Sequence, residues 1–210
     1  MRIFLFILVG ELLNYNIYFG NIKIGTGYLK TDSVYLEGNT LALQATFVAR
    51  TEGLFDKIYP VYDSIASTFH PEKYHTLIYE RFISEGKYKS KRRAEYRGDT
   101  VYYSDGTQIP INDGTFDPIS LIYFFRAQDN FDTLYLVNYH VDKRSALVAL
   151  RSEKLSVRNN EVIRINMDFS DRQVSKIPGE STIFLELFGL KRPLEFHFRS
   201  SFGTLRARLQ

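Results

Sequence analysis

Apolar and polar residues alternate along most of this chain. In "ELLNYNIYF", Leu13, Tyr15, Ile17 and Phe19 fall on one side of an extended segment, and Asn14 and Asn16 on the other. That period of two marks a half-buried strand. Gly20-Asn21 supplies a turn, and "IKIGTGYL" follows with Ile22 and Ile24 aligned. "SVYLEGNTLALQATFVA" reads as two strands around a tight hairpin at Gly38-Asn39, with Leu41, Leu43, Ala45, Phe47 and Ala49 on one face. Gly25 and Gly27 inside a strand pattern imply a bend or the close approach of another backbone. "YHTLIYERFIS", "KYKSKRRAEYR", "VYYS", "TLYLVNYHVD", "SALVALRSEKLSV", "EVIRINMDFS", "TIFLELF", "LEFHFRS" and "GTLRARLQ" repeat the signal, separated by short turns. Such a series predicts an antiparallel meander, barrel or sandwich.

Two segments break the alternation. "GLFDKIYPVYDSIASTFHPEKY", bracketed by Pro60 and Pro71, is compatible with strand or with short helix. "FDPISLIYFFRA" predicts a helix over Pro118–Arg126. Asp117 stands where an N-cap acceptor belongs, and Pro118 at the first helical position, where its missing N–H costs nothing. Leu121, Tyr123, Phe124 and Phe125 leave almost no polar face before Arg126, so this helix must be buried. Low-complexity tracts, heptads, repeats and Pro/Gly/Ser-rich linkers are absent from the sequence, and residues 11–210 read as one domain.

Composition strengthens the β reading. Aromatic residues make up 15% of the chain, 17 Phe and 15 Tyr with no Trp, and these residue types favour pleated, half-buried surfaces. A chain of 210 residues buries enough surface to form a core without staples. The net charge of +3 is too mild for a nucleic-acid partner, which calls for a concentrated basic stripe. With no cysteine, disulfides, thiol catalysis, Cys-ligated zinc and a lipid-modified N-terminal Cys are excluded. The start, "MRIFLFILVG", sets one Arg before an apolar run from Ile3 to Val9. Residues 1–10 therefore read as a shortened export signal; the run is too short for a transmembrane helix. No Ala-x-Ala-like site follows it, and a first strand is the competing reading.

Little of this carries recognisable chemistry. A serine nucleophile needs a placed base and oxyanion donors, and no G-x-S-x-G elbow frames Ser120, so capping and packing are the better account of Asp117 and Ser120. His70, His75, His140 and His197 form no H-x-x-x-H pair, and no metal site or cofactor is expected. Lys87, Lys89, Lys91 and Arg93 share one strand face, which suits a solvated face protecting a sheet, or contact with phosphate or an anionic surface. Asp99, Asp105, Asp113 and Asp132 sit in turn-like contexts that favour Asp for local reasons. What remains is the aromatic excess. A curved sheet lined by Phe and Tyr holds either a filled core or an apolar ligand; the candidate lining is Tyr15, Ile17, Phe47, Phe124 and Phe125.

Four stretches in order, "GELLNYNIYFGNIKIGTGYL", "YPVYDSIASTFHPEKYHTLIYE", "FDPISLIYFFR" and "RPLEFHFRSSFGTLRARL", resemble the domain-of-unknown-function 3108 family over nearly the whole chain. Asp117, Pro118, Ser120, Tyr123 and Arg126 match its Asp-Pro-x-Ser-x-x-Tyr-x-x-Arg landmark. The leader is shorter than is usual there, and Phe188 and Gly189 stand where an acidic residue is expected. The resemblance implies a bacterial periplasmic or cell-envelope protein with a mostly antiparallel β fold, akin to the half-barrels that carry lipoproteins across the periplasm; it implies no activity and no catalytic residues. The expectation is a mainly β protein, a single antiparallel twisted sheet forming a half-barrel or barrel, with one short buried helix near 118–126. Its expected role is non-enzymatic, with a lipid-like or other apolar ligand held in the curved sheet. A role in envelope or polysaccharide assembly through a protein partner is the alternative, and a hydrolase the remote one.

Overall fold

Gly25 and Gly27 show how tightly the strands are laid. A Cβ at Gly25 would stand 2.0 Å from the carbonyl oxygen of Arg50, and one at Gly27 2.5 Å from that of Val48. Only glycine allows the neighbouring backbone this close. The computed structural model describes residues 9–157, 160–168, 180–200 and 203–210. Most of the candidate export signal, residues 1–8, lies outside the described residues.

Among the described residues the alternating segments form fourteen antiparallel strands of one sheet. The first eight are β1 (Leu12–Phe19), β2 (Ile22–Leu36), β3 (Thr40–Thr51), β4 (Val61–Phe69), β5 (Thr76–Glu85), β6 (Tyr88–Arg97), β7 (Thr100–Tyr103) and β8 (Gln108–Pro110). The rest are β9 (Thr133–Val141), β10 (Arg144–Val157), β11 (Asn160–Asp168), β12 (Glu180–Glu186), β13 (Pro193–Ser200) and β14 (Gly203–Leu209). Two meanders join where β1 pairs with β14, Tyr15 opposite Leu209 and Phe19 opposite Leu205. The strand order runs from β8 through β1 and β14 to β9, so β8 and β9 are the two edges and the sheet does not close.

The sheet is nonetheless curled until its ends meet. The short segment before the helix stitches them: Thr76 N–H on β5 donates to Thr115 O at 3.1 Å, Phe116 N–H donates to Asn138 O at 2.8 Å, and His140 N–H on β9 donates to Phe116 O at 2.9 Å. Inside the curl lies α2 (Pro118–Arg126), the buried helix expected from its capping and apolar pattern. Leu13, Tyr15, Leu29, Leu43, Phe69, Leu150, Ile163 and Leu185 point into the same core as the helix. The mixed stretch after β3 resolves into a short α1 (Leu54–Ile58) followed by β4. Among the described residues no helix is long and apolar enough to cross a membrane.

Candidate functional site

The richest polar constellation in the core sits at the N-terminal end of α2. Asp117 Oδ1 accepts from the Ile119 and Ser120 N–H groups at 2.7 and 3.0 Å. Ser120 Oγ returns the bond by accepting from Asp117 N–H at 3.0 Å, completing a capping box. Oδ2 accepts from the hydroxyl of Thr76 at 2.9 Å and from that of Ser67. Asp117 therefore fixes the helix start to β4 and β5 at once. Burial raises its pKa, while the hydroxyl and N–H donors oppose that rise. Ser120 is fully buried, and its hydroxyl bonds Thr76 and the Asp117 backbone. Those contacts hold a cap; no imidazole is among them.

At the other end, Arg126 is 0% exposed. Its Nη1 and Nη2 donate to both carboxylate oxygens of Glu11 at 2.7 and 2.8 Å, and Nε and Nη2 donate to Leu190 O at 3.2 and 3.1 Å. Burial works against the guanidinium charge, but the Glu11 bonds together with the Glu11, Tyr123 and Tyr15 electrostatics outweigh it, so its pKa is raised. The guanidinium also lies 5.1 Å from the Tyr123 ring, whose hydroxyl bonds Thr31 on β2. Lys191 in the β12–β13 turn adds bonds to Gln128 O and to Asp129 just past the helix. Cations belong at this end, where the helix carbonyls point. The family landmark is thus a bolt at each end of α2.

The five candidate ligand-lining residues lie in this same core but in two groups. Tyr15, whose hydroxyl donates to Pro193 O at 2.8 Å, packs with Phe47 and Phe196 at ring-centroid distances of 6.2 and 5.6 Å. Phe124 and Phe125 pack on Tyr135 at 5.8 and 5.3 Å, and Phe124 also on Phe116 at 5.0 Å. Tyr15, Ile17 and Phe125 are buried, and Phe47 and Phe124 half-buried. Two clefts among the described residues lie elsewhere and open to solvent. One of about 230 Å³ runs from Asn112 to Leu147, and one of about 170 Å³ is lined by His70, His75 and Asp113.

Histidine appears once in a buried network, at the seam between the sheet's ends. His140 Nε2 lies 2.6 Å from the Tyr103 hydroxyl and Nδ1 2.7 Å from Ser145 Oγ. Lys143 N–H donates to the Tyr103 oxygen at 2.8 Å, so that hydroxyl hydrogen is free for Nε2 and the ring is satisfied as a neutral group. Burial pushes the His140 pKa down to about 4, against a smaller opposing pull from Asp142. Asp142 itself accepts from Arg81 and Arg92. Among the described residues no buried side-chain nitrogen or oxygen lacks a partner, and no group of three or more His, Cys, Asp or Glu gathers to hold a metal.

Sequence patterns could find Asp117 and Ser120 because their bonds are local. They could not find Glu11, Thr31, Ser67 or Thr76, which reach the helix only through the fold, nor the Tyr103–His140 seam.

Among solved structures, the chain is similar to a β-barrel-like protein of domain of unknown function DUF1849 from Brucella abortus. The TM-score is 0.58 and the identity 12%, over 97% of this chain and 96% of that one. At that identity the likeness shows the fold alone. No curated protein matches. The profile described as "Protein of unknown function (DUF3108)" matches residues 14–210. With that match over nearly its whole length, the chain belongs to the DUF3108 family.

Proposed function

We propose that this is a non-enzymatic protein of the bacterial periplasm or cell envelope. It is a filled β scaffold that works through its surface as an interaction or assembly component. One observation carries the reading. The constellation most like a reactive site, Asp117 with Ser120, has its donors and acceptors used in joining α2 to β4 and β5. A hydrolytic site needs a serine beside a base, with room for substrate; Ser120 meets neither need. The compartment rests on the apolar run Ile3–Val9 behind Arg2 and on the family resemblance. Fractionation of bacteria expressing the full chain tests it: recovery with the envelope is expected, and recovery in the cytosol overturns it.

A second reading places a lipid-like or other apolar ligand against Tyr15, Ile17, Phe47, Phe124 and Phe125. The partial exposure of Phe47 on β3 and Phe124 on α2 favours it, since half-buried aromatics inside a curved sheet suit such a ligand. Native mass spectrometry of gently purified protein separates the two. The bare polypeptide mass is the outcome of the surface reading, and a retained apolar adduct that of the second.

A further inference from the structure

Three successive connections emerge at one end of the sheet: the β1–β2 turn, the α1 loop and the β5–β6 turn. They are held side by side. Glu52 N–H donates to Ile24 O at 3.0 Å, and Gly86 N–H donates to Pro60 O at 2.8 Å. A Cβ at Gly86 would meet the Tyr59 ring at 3.0 Å. This rim is apolar where a solvated rim would be polar. α1 has no buried residue; Leu54 is 68% and Ile58 70% exposed, and Phe55 is also exposed. Phe19 and Ile22, which flank the β1–β2 turn, are exposed too. Large apolar side chains gathered at one place on a surface mark a contact site.

The charges around this rim identify its occupant. Lys23, Lys57, Lys87, Lys89 and Lys91 make no ion pair among the described residues, whereas Arg50 is paired with Glu52 at 3.6 Å. Two of these lysines stand on the outer face of the sheet in register with aromatics: Lys91 opposite Phe82, and Lys89 opposite Ser84, which is opposite Tyr62. The rings of Tyr62 and Phe82 touch edge to face at 6.2 Å. The acids nearby are partly engaged, Glu52 by Thr26 at 2.6 Å, Asp56 by Thr51 at 3.2 Å and Asp63 by Ser84 N–H at 3.2 Å; Glu85 sits against the Asp63 carboxyl, whose pKa burial raises to about 6. A protruding aliphatic tip, a band of Tyr and Phe behind it, and unpaired lysines flanking both match the layers of a bilayer surface: acyl boundary, headgroup level and anionic phosphate.

We propose that this rim docks on the surface of an anionic phospholipid bilayer, with Leu54, Phe55 and Ile58 entering the headgroup–acyl boundary and the lysines contacting phosphate. The inference rests on the surface-acting reading above and names the partner of that surface. Co-sedimentation of the full chain with vesicles of phosphatidylglycerol and phosphatidylethanolamine, against vesicles of phosphatidylcholine alone, tests it. Binding to the anionic vesicles only is expected, falling as salt is raised. Lys57→Gln/Lys87→Gln/Lys89→Gln should weaken it on the order of 100-fold. Leu54→Ser/Ile58→Ser should weaken it by ~10-fold or more. These side chains are exposed, so both variants should melt with the parent; if the serine variant does not, the lysine variant decides. No binding to anionic vesicles, equal binding to both kinds, or parental binding by a folded variant overturns the proposal. A chain that ignores vesicles leaves the surface-acting reading standing, with a protein as its partner, whereas a retained apolar adduct in native mass spectrometry counts against that reading itself.

Discussion

At the scale of single residues, His140 is the most telling titratable group. In the fold it is neutral, its pKa pushed down by burial to about 4 from an ordinary 6.5. The unfolded chain takes up a proton below 6.5 that the folded chain resists, so stability is full above that value and declines as pH falls towards 4. Between pH 7 and pH 5 this one group should remove about 2 kcal/mol. Urea unfolding of wild type and His140→Gln at both pH values checks this. The glutamine amide can keep a bond to Tyr103 or Ser145 without titrating, so the variant should lack that share of the acid loss. If both proteins lose the same amount, the His140 account is wrong. Asp117 differs in kind: its value to the fold lies in four donors held at once, two of them N–H groups that have no other acceptor in the first helical turn.

At the scale of elements, α2 is held by a bonded group at each end. Arg126 and Glu11 are both buried, and removing one partner of such a pair leaves the other charged and unpaired. Arg126→Met should therefore cost about 3–5 kcal/mol. The double variant Glu11→Met/Arg126→Met should cost less than the sum of the two single changes, because it leaves no orphaned charge. Additive costs in denaturant unfolding would contradict the pairing. Arg126→Lys should rescue poorly, because an ammonium cannot span both Glu11 oxygens and Leu190 O.

How much of an element can be read from sequence depends on how far its causes lie along the chain. The cap of α2 is legible because Asp117 bonds residues two and three positions on. The Arg126 bolt is not, because Glu11 is 115 residues away and no periodicity links them. Strands β1 to β3 and β5 are legible from alternation, and the glycines of β2 foretell the closeness of β3, whereas β4 falls in the stretch left open between strand and helix. α1 stays ambiguous because five residues that bury nothing leave no pattern for a core to impose. The rim chemistry is half legible: the shared face of Lys87, Lys89 and Lys91 suits a solvated sheet or an anionic surface, but only register sets Lys91 opposite Phe82 and Lys89 one strand away from Tyr62.

At the scale of the whole molecule, fourteen strands form one sheet whose edges share no backbone ladder. The strap at Thr115–Phe116, the His140 seam and the bolted helix do the work that edge pairing does in a closed barrel. Much of the aromatic excess becomes a core around that helix, while Leu54, Phe55 and Ile58 stand exposed at the rim. The central claim is that the Asp-Pro-x-Ser-x-x-Tyr-x-x-Arg landmark is the lock of this curled sheet. The most direct test is equilibrium urea unfolding of Asp117→Ala. Removing the cap and leaving buried N–H and hydroxyl groups unpaired should cost about 3 kcal/mol. A variant as stable as its parent, or more stable, would contradict the claim, because that is the behaviour of a polar group kept for chemistry at the fold's expense.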